Sequence, residues 1–201
     1  HAFDGCTSLP TFHIKTSCKS IGDFAFMGCT KLGTVTSDID AKLTKFNISV
    51  FEGCTSLTSV EFPKAVTTVD QRAFYNCTSL KSLLRSDVSG LTTINDEAFM
   101  NTASLSIIPA FPQLTTIGTK SFYNTGATTL TAQPKLKTIG TSAFQNSLKL
   151  TTLESCSALT EISNYAFSGT ALTKLEQPVL QTVGEGAFKS CSKLASINVP
   201  S

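Results

Sequence analysis

Residues 73–80 read Ala73-Phe74-Tyr75-Asn76-Cys77-Thr78-Ser79-Leu80, and variants of this segment recur along the whole chain. Each of nine copies contains a phenylalanine, at positions 3, 26, 51, 74, 99, 122, 144, 167 and 188. The intervals between these positions are 23, 25, 23, 25, 23, 22, 23 and 21 residues. A period of this length indicates a repeat architecture, in which a unit buries its apolar face only by stacking on its neighbours.

Other positions of the repeat show which structure each part adopts. The consensus unit is L-x-x-I-x-x-x-A-F-x-x-C-x-x-L-x-x-I, often followed by proline. Its downstream part, such as residues 57–62, alternates apolar with polar residues and therefore predicts a strand. Glycine or asparagine two positions after the phenylalanine indicates a positive φ there, as in Asn76. Between two such turn signals, we expect the Ala-Phe pair to lie in a short helix or 3-10 turn.

This unit resembles the BspA-like, or Treponema-type, class of leucine-rich repeats, whose pattern A-F-x-x-C-x-x-L-x-x-I-x-x-P is well matched by residues 73–80. The resemblance covers essentially the whole chain. It implies a surface-exposed or secreted protein of bacteria or parasitic protists, often one that adheres to host or matrix proteins. It does not identify a ligand.

The repeat therefore predicts an α/β solenoid, a right-handed superhelix of leucine-rich-repeat type. Each coil of 21–25 residues is expected to contain one parallel strand and one short helical or 3-10 turn, with the phenylalanines stacked inside. We expect residues 1–201 to form a single domain of about nine repeats. His1 lies in mid-repeat and Ser201 just after a strand, with no polar capping unit beside either, so we expect a fragment of a longer protein.

Composition argues against several classes of function. Sixteen basic and fourteen acidic residues give a net charge of +2, and no run of like charges concentrates it, so we do not expect nucleic-acid binding. No apolar stretch approaches the roughly 20 residues that span a bilayer, so we expect no membrane insertion of this segment. The sequence has no phosphate-binding loop, nucleophile elbow or usefully spaced pair of carboxylates, and we predict neither catalysis nor a cofactor.

Most of the seven cysteines follow the repeat instead of marking a chemical site, and only Cys18 and Cys156 lie outside its cysteine column. Five of them occupy the column three residues after the phenylalanine: Cys6, Cys29, Cys54, Cys77 and Cys191. The other four copies carry Thr or Ser there, which predicts buried, reduced thiols that donate to a nearby carbonyl. Without a C-x-x-C pair, we expect no metal site. His13 could activate Cys6 or Cys18 as a nucleophile, but we expect His13 to point outward and Cys6 inward.

Two sequons for N-glycosylation begin at Asn47 and Asn76. They would be used only in a host that secretes the chain through a eukaryotic route. Both lie in columns of turn-forming residues, from which only Ser190 in the Asn76 column departs, and we attribute them to the repeat.

The exposed face of the strands is the candidate binding surface, because parallel strands line the concave surface of repeat proteins of this curvature. Its outward positions are mostly Thr and Ser, which suit a polar strand ladder. The pattern breaks at the centre, where Leu84, Ile107 and Pro109 are predicted to face outward together. We predict that these three contact a partner. The predicted polar rim consists of Glu61, Glu154, Lys174 and Glu176.

These observations predict a non-enzymatic binding or adhesion module, secreted or at the cell surface, that takes a protein or glycan on its concave face. The alternative is an architectural spacer that displays other domains and has no ligand of its own. A uniformly polar strand face favours the spacer, whereas the apolar break at its centre favours binding.

Overall fold

The computed structural model describes residues 1–84 and 90–200. Within these ranges the regular elements are sixteen short strands, and no helix occurs. The strands are β1 (Thr11–Ile14), β2 (Thr34–Ser37), β3 (Lys45–Phe46), β4 (Ser59–Glu61), β5 (Thr68–Val69), β6 (Ser82–Leu84), β7 (Thr93–Ile94), β8 (Ile107–Ile108), β9 (Thr116–Ile117), β10 (Thr129–Leu130), β11 (Thr138–Ile139), β12 (Thr152–Leu153), β13 (Glu161–Ile162), β14 (Lys174–Glu176), β15 (Thr182–Val183) and β16 (Ser196–Asn198).

The strands form two parallel ladders. The main ladder is hydrogen-bonded in three groups, which are β1-β2-β4-β6, β8-β10-β12 and β14-β16. The second ladder has the order β15-β13-β11-β9-β7-β5-β3. Equivalent residues of successive repeats lie side by side, as Val60 lies beside Leu83 in the main ladder and Val69 beside Ile94 in the second. The described chain is therefore a parallel-strand solenoid of about eight coils, which confirms the solenoid part of the predicted fold.

The second ladder corrects the expectation of one strand per coil. Each of its strands has only two residues, and the last one occupies the apolar column five positions before the phenylalanine. In β5, Val69 is fully buried while Thr68 stays partly exposed. Two residues are too few to show the alternation of apolar and polar residues that predicts a strand, so the sequence did not predict this element.

The predicted helical turn around the Ala-Phe pair is wrong for the described residues, which form a series of tight turns there. Arg72 and Asn76 both have positive φ, 57° and 58°, and left-handed residues at this spacing interrupt any right-handed helix. The Tyr75 N–H donates to Arg72 O at 3.0 Å, three residues back, but the Phe74 N–H donates to Ala98 O of the next coil at 2.8 Å. Alternate amides therefore link neighbouring coils instead of building a helix.

The phenylalanine column forms an unbroken stack through all nine copies. Successive ring centroids lie 4.9 to 5.5 Å apart. Phe51, Phe74 and Phe99 contact one another in series, as predicted, and all three are fully buried. Phe46 and Phe62 lie against the same stack and fill the space beside Phe74. The stack is the centre of the core, and the two ladders lie around it.

Candidate binding surface

The main ladder presents its exposed columns in the register that the repeat predicts. Ile107 is 51% exposed and lies beside Thr129, whereas its neighbour Ile108 is fully buried. Of the two adjacent isoleucines, Ile108 therefore belongs to the core and Ile107 to the surface. Because the Ile107 side chain is largely exposed in a column of mainly Thr and Ser, it adds no hydrophobic stabilisation to the fold.

The other two residues of the predicted contact lie near Ile107 in the ladder. Pro109 directly follows β8 and is half-buried, and its carbonyl accepts a hydrogen bond from Gln133 Nε2 at 2.9 Å. The backbone of Leu84 ends β6 beside Glu61, but the Leu84 side chain lies outside the described part of the chain. The predicted apolar cluster of Leu84, Ile107 and Pro109 therefore stays a prediction.

The predicted rim charges also interact within the chain. Glu61 Oε2 accepts a hydrogen bond from the Ser37 N–H at 2.8 Å, and Glu154 Oε2 accepts one from the Ala132 N–H at the same distance. Each carboxylate thus binds a main-chain amide of the preceding coil, a role that the sequence analysis missed. Lys174 and Glu176 both lie on the outer face of β14, on either side of the buried Leu175, and form an exposed ion pair of 2.8 Å.

His13 takes part in a polar network at the first strands of the main ladder. Its Nδ1 lies 2.8 Å from Thr36 Oγ1, and its Nε2 lies 3.1 Å from Asp38 Oδ1. Hydrogen bonds from Thr16 hold the pKa of Asp38 below its ordinary value, and His13 adds to the effect. Thr36, His13 and Asp38 thus stand in the hydroxyl–imidazole–carboxylate order that some hydrolases use. The His13 and Asp38 side chains are 47% and 40% exposed, however, so this site does not exclude water as an active site does.

The structure does not bring His13 together with Cys6 or Cys18, the pairing that the sequence allowed but did not favour. Both ring nitrogens of His13 face Thr36 and Asp38, and the Cys18 thiol donates to Ser20 O at 3.7 Å. The expectation that Cys6 is buried is also wrong, because Cys6 is exposed. It lies in the first of the nine repeats.

Cys191 of the same cysteine column is partly exposed, and the remaining members have the buried role that the exchange with Thr and Ser predicts. The Cys77 thiol donates to Phe51 O of the preceding coil at 3.1 Å, and the Ser147 hydroxyl donates to Phe122 O at 3.0 Å. Both side chains are fully buried. Burial raises the pKa of Cys54 to about 12 and that of Cys77 well above its ordinary value. All seven thiols are free in the structure.

A thiol titration will test this assignment. The unfolded protein is expected to react with seven equivalents of a thiol reagent. In the native protein, Cys6 reacts first, while the buried Cys29, Cys54, Cys77 and Cys156 react slowly because burial disfavours the thiolate that reacts. The exchange Cys77→Ser should be nearly neutral, since Ser147 makes the same hydrogen bond. Three disulfides in the native protein would contradict the packing role.

Within residues 1–84 and 90–200, no three His, Cys, Asp or Glu side chains are grouped closely enough to hold a metal ion. In the same ranges, no helix has the length and apolar character needed to cross a bilayer.

Two ladders, a stacked aromatic column and a period near 23 residues define a leucine-rich-repeat type of solenoid. The model of the BspA type leucine-rich repeat region, in six copies, matches residues 1–125 and 115–201. The chain therefore belongs to the BspA-type leucine-rich repeat family. This is a repeat family and not a catalytic one, and leucine-rich repeat proteins are generally non-enzymatic scaffolds.

Solved structures of bacterial leucine-rich repeat proteins share the fold. A leucine-rich repeat protein from Bacteroides ovatus aligns with a TM-score of 0.78 and 22% identity, over 98% of this chain and 57% of that one. A leucine rich cell surface protein from Faecalibacterium prausnitzii aligns with a TM-score of 0.66 and 22% identity, over 95% and 48%. The pneumococcal vaccine antigen PcpA aligns with a TM-score of 0.56 and 20% identity, over 94% and 62%.

The chain thus spans about half of the first two of these structures and somewhat more of the third. At such low identity the likeness is one of fold alone. A comparison with curated proteins gives no match.

Proposed function

We propose that this chain is a binding or adhesion module that acts at the cell surface or after secretion. It takes a protein or glycan ligand on the exposed face of the main ladder, which we expect to be the concave face. The observation that carries the proposal is Ile107, a 51% exposed isoleucine at the centre of a column whose other members are mainly Thr and Ser. An apolar centre with a polar surround is the arrangement of a binding hot spot.

The family and the solved structures support the location. One structure of this fold is described as a cell surface protein and another as a vaccine antigen. The ladder also supports a binding role, because its rigid strands hold the exposed contact residues at fixed spacing. Less conformational entropy is therefore lost when a ligand binds. Pro109 and Leu84 extend the apolar centre, while Glu61, Glu154, Lys174 and Glu176 form its polar rim.

The experiment begins with a screen of the purified chain on arrays of extracellular matrix proteins and of glycans. The change Ile107→Thr installs the residue that the neighbouring coil carries as Thr129, so it preserves the ladder. We expect it to weaken capture by about tenfold, and Leu84→Ser with Ile107→Ser to abolish it. The melting temperature should change little, because Ile107 is largely exposed.

Thr11→Ser is the matched control, because it alters the same column at the first strand of the ladder and should leave capture unchanged. If Ile107→Thr and the double variant bind every ligand as the natural chain does, the proposal fails. The architectural spacer would then account for the fold, since the stacked rings and inter-coil hydrogen bonds already make the solenoid rigid.

A further inference from the structure

A second surface lies where the chain passes from the cysteine column to the main ladder. In seven copies this turn has the same length, as in Ser147-Leu148-Lys149-Leu150-Thr151. The copies at Phe122 and Phe167 are one residue shorter, and they flank the copy at Phe144. The turn that contains Leu148 is therefore bordered on both sides by shorter ones.

Leu148 at the tip of this turn is 70% exposed, the highest value among the exposed large hydrophobic residues of the described chain. The repeat does not require an apolar residue there. The equivalent residues of the other full-length copies are Thr7, Thr30, Thr55, Thr78, Ala103 and Ser192. A single exposed leucine is common in folded proteins, so Leu148 bears on binding only together with the depression and the charges beside it.

Beside Leu148 the shortened turn forms a notch. Gly126 lies so close to the preceding coil that a Cβ atom on it would be 2.0 Å from Ala103 O, and its N–H donates to Thr102 O at 3.2 Å. The turn thus sinks against its neighbour and leaves a depression. The depression is lined by Lys81, Ser104, Ser106, Gly126, Thr128 and Lys149.

The charge around the notch has one sign. Positions four to seven after each phenylalanine contain five lysines and no acidic residue in any of the nine copies. Two of these lysines, Lys81 and Lys149, line the notch from opposite sides. Both residues are exposed, and within residues 1–84 and 90–200 neither ammonium group forms an ion pair with an acidic side chain.

The spacing of the two lysines fits an extended polypeptide. Lys81 and Lys149 belong to the fourth and seventh copies, so along the ladder axis three coil spacings of about 4.8 Å separate them, or about 14 Å. Within the repeat, Lys81 lies two positions later than Lys149. Four residues of an extended chain cover about the same distance, at about 3.4 Å each. Side chains four residues apart lie on the same face of such a chain, and so does the residue midway between them.

We propose that this notch binds an extended acidic segment of a partner protein. Two carboxylates, four residues apart, pair with Lys81 and Lys149, and the apolar residue between them packs over Gly126 against Leu148. Leu148 favours a polypeptide over an anionic polysaccharide, because a sulfated or carboxylated glycan offers the lysines charge but has no apolar side chain for the leucine. The notch borders the Ile107 column, because Ser106 and Thr128 directly precede Ile107 and Thr129. It depends on different side chains, and the two proposals stand independently.

The probe is a fluorescein-labelled peptide, Ser-Gly-Glu-Ser-Leu-Ser-Glu-Gly-Ser, titrated with the whole chain at low ionic strength and followed by fluorescence anisotropy. We expect saturable binding that salt weakens. Lys81→Gln and Lys149→Gln should each weaken it by about two- to fivefold, the range of an exposed ion pair. Leu148→Thr, which restores the residue of Thr78, should weaken it by about tenfold without a change in melting temperature.

Three controls test the specificity of this binding. The same peptide with Gln in place of both Glu should not bind. Lys31→Gln removes a lysine of the same turn column as Lys149 outside the notch, and Ile107→Thr changes a strand residue that does not line it, so neither should affect the titration. The proposal is overturned if the acidic peptide does not bind saturably, or if Lys31→Gln weakens binding as much as Lys149→Gln. It is also overturned if Leu148→Thr has no effect while a heparin oligosaccharide competes, because the ligand would then be a polyanion recognised by charge alone.

Discussion

Replacing Phe74 by alanine is expected to lower the free energy of unfolding by about 3–5 kcal/mol, the usual cost of deleting a buried aromatic side chain. Phe74 is fully buried, and its ring stacks on Phe51 at 5.5 Å and on Phe99 at 5.1 Å between centroids. Phe46 packs its edge against the same ring at 5.2 Å. Because these neighbours are held by their own coils, they cannot close the cavity that the substitution leaves. Urea unfolding followed by circular dichroism measures the loss.

Phe3→Ala is the matched control for this prediction. Phe3 belongs to the same column but is 46% exposed and stacks on one ring only, that of Phe26. Its removal should cost about 1 kcal/mol, as expected for a half-exposed side chain. Equal costs for the two variants would mean that the aromatic stack does not stabilise the solenoid.

The position of Phe74 adds a second expectation. In a solenoid each coil contacts only its neighbours, so a weakened central coil reduces the coupling between the two halves. Phe74→Ala should therefore broaden the unfolding transition and lower its denaturant dependence, whereas Phe3→Ala should only shift the midpoint.

The sequence predicts this fold well wherever a column of the repeat has a single physical cause. The phenylalanine column could only be a stack, and the buried thiol at Cys77 could be inferred because Thr and Ser replace it elsewhere. The positive φ of Asn76 follows from the Gly and Asn in its column. Ser190 has positive φ as well, 60°, although its side chain departs from the column.

Other features depend on interactions between coils and leave little trace in one repeat. Arg72, Glu97 and Lys120 also have positive φ, but nothing in these side chains favours a left-handed backbone. The inter-coil hydrogen bonds impose that conformation, and it is the reason why the predicted helix is absent from the described chain. Likewise, the bond from Ser37 N–H to Glu61 exists only because β2 and β4 pair side by side in the main ladder.

Part of the candidate site could likewise be predicted from the sequence. The outward position of Ile107 follows from strand alternation once the register is fixed. The notch beside Leu148 was not recognised, although the interval of 22 residues after Phe122 records its cause. A missing residue predicts a shorter turn, but only the packing of neighbouring coils shows that the shorter turn opens a space.

Gly126→Ala is expected to destabilise the protein by about 2–3 kcal/mol, the upper part of the range for overpacking a well-packed site. The added Cβ atom would lie 2.0 Å from Ala103 O and 2.7 Å from the Ala103 carbonyl carbon. These are main-chain atoms of the preceding coil, so they cannot rotate away as a side chain would. Relief requires the two coils to separate, which strains the bond from Gly126 N–H to Thr102 O.

Gly22→Ala is the control that isolates this close approach. No atom lies within 4 Å of a Cβ built on Gly22, and its φ is not positive. The change should be neutral or stabilise the fold by up to about 1 kcal/mol, because alanine restricts the unfolded chain. Urea unfolding of the two variants gives the comparison, and equal stability would show that the shortened turn is loose. If Gly126→Ala folds with the expected loss of stability, the separation of the two coils should also widen the notch and weaken binding of the acidic peptide. Gly22→Ala should leave the peptide's affinity unchanged.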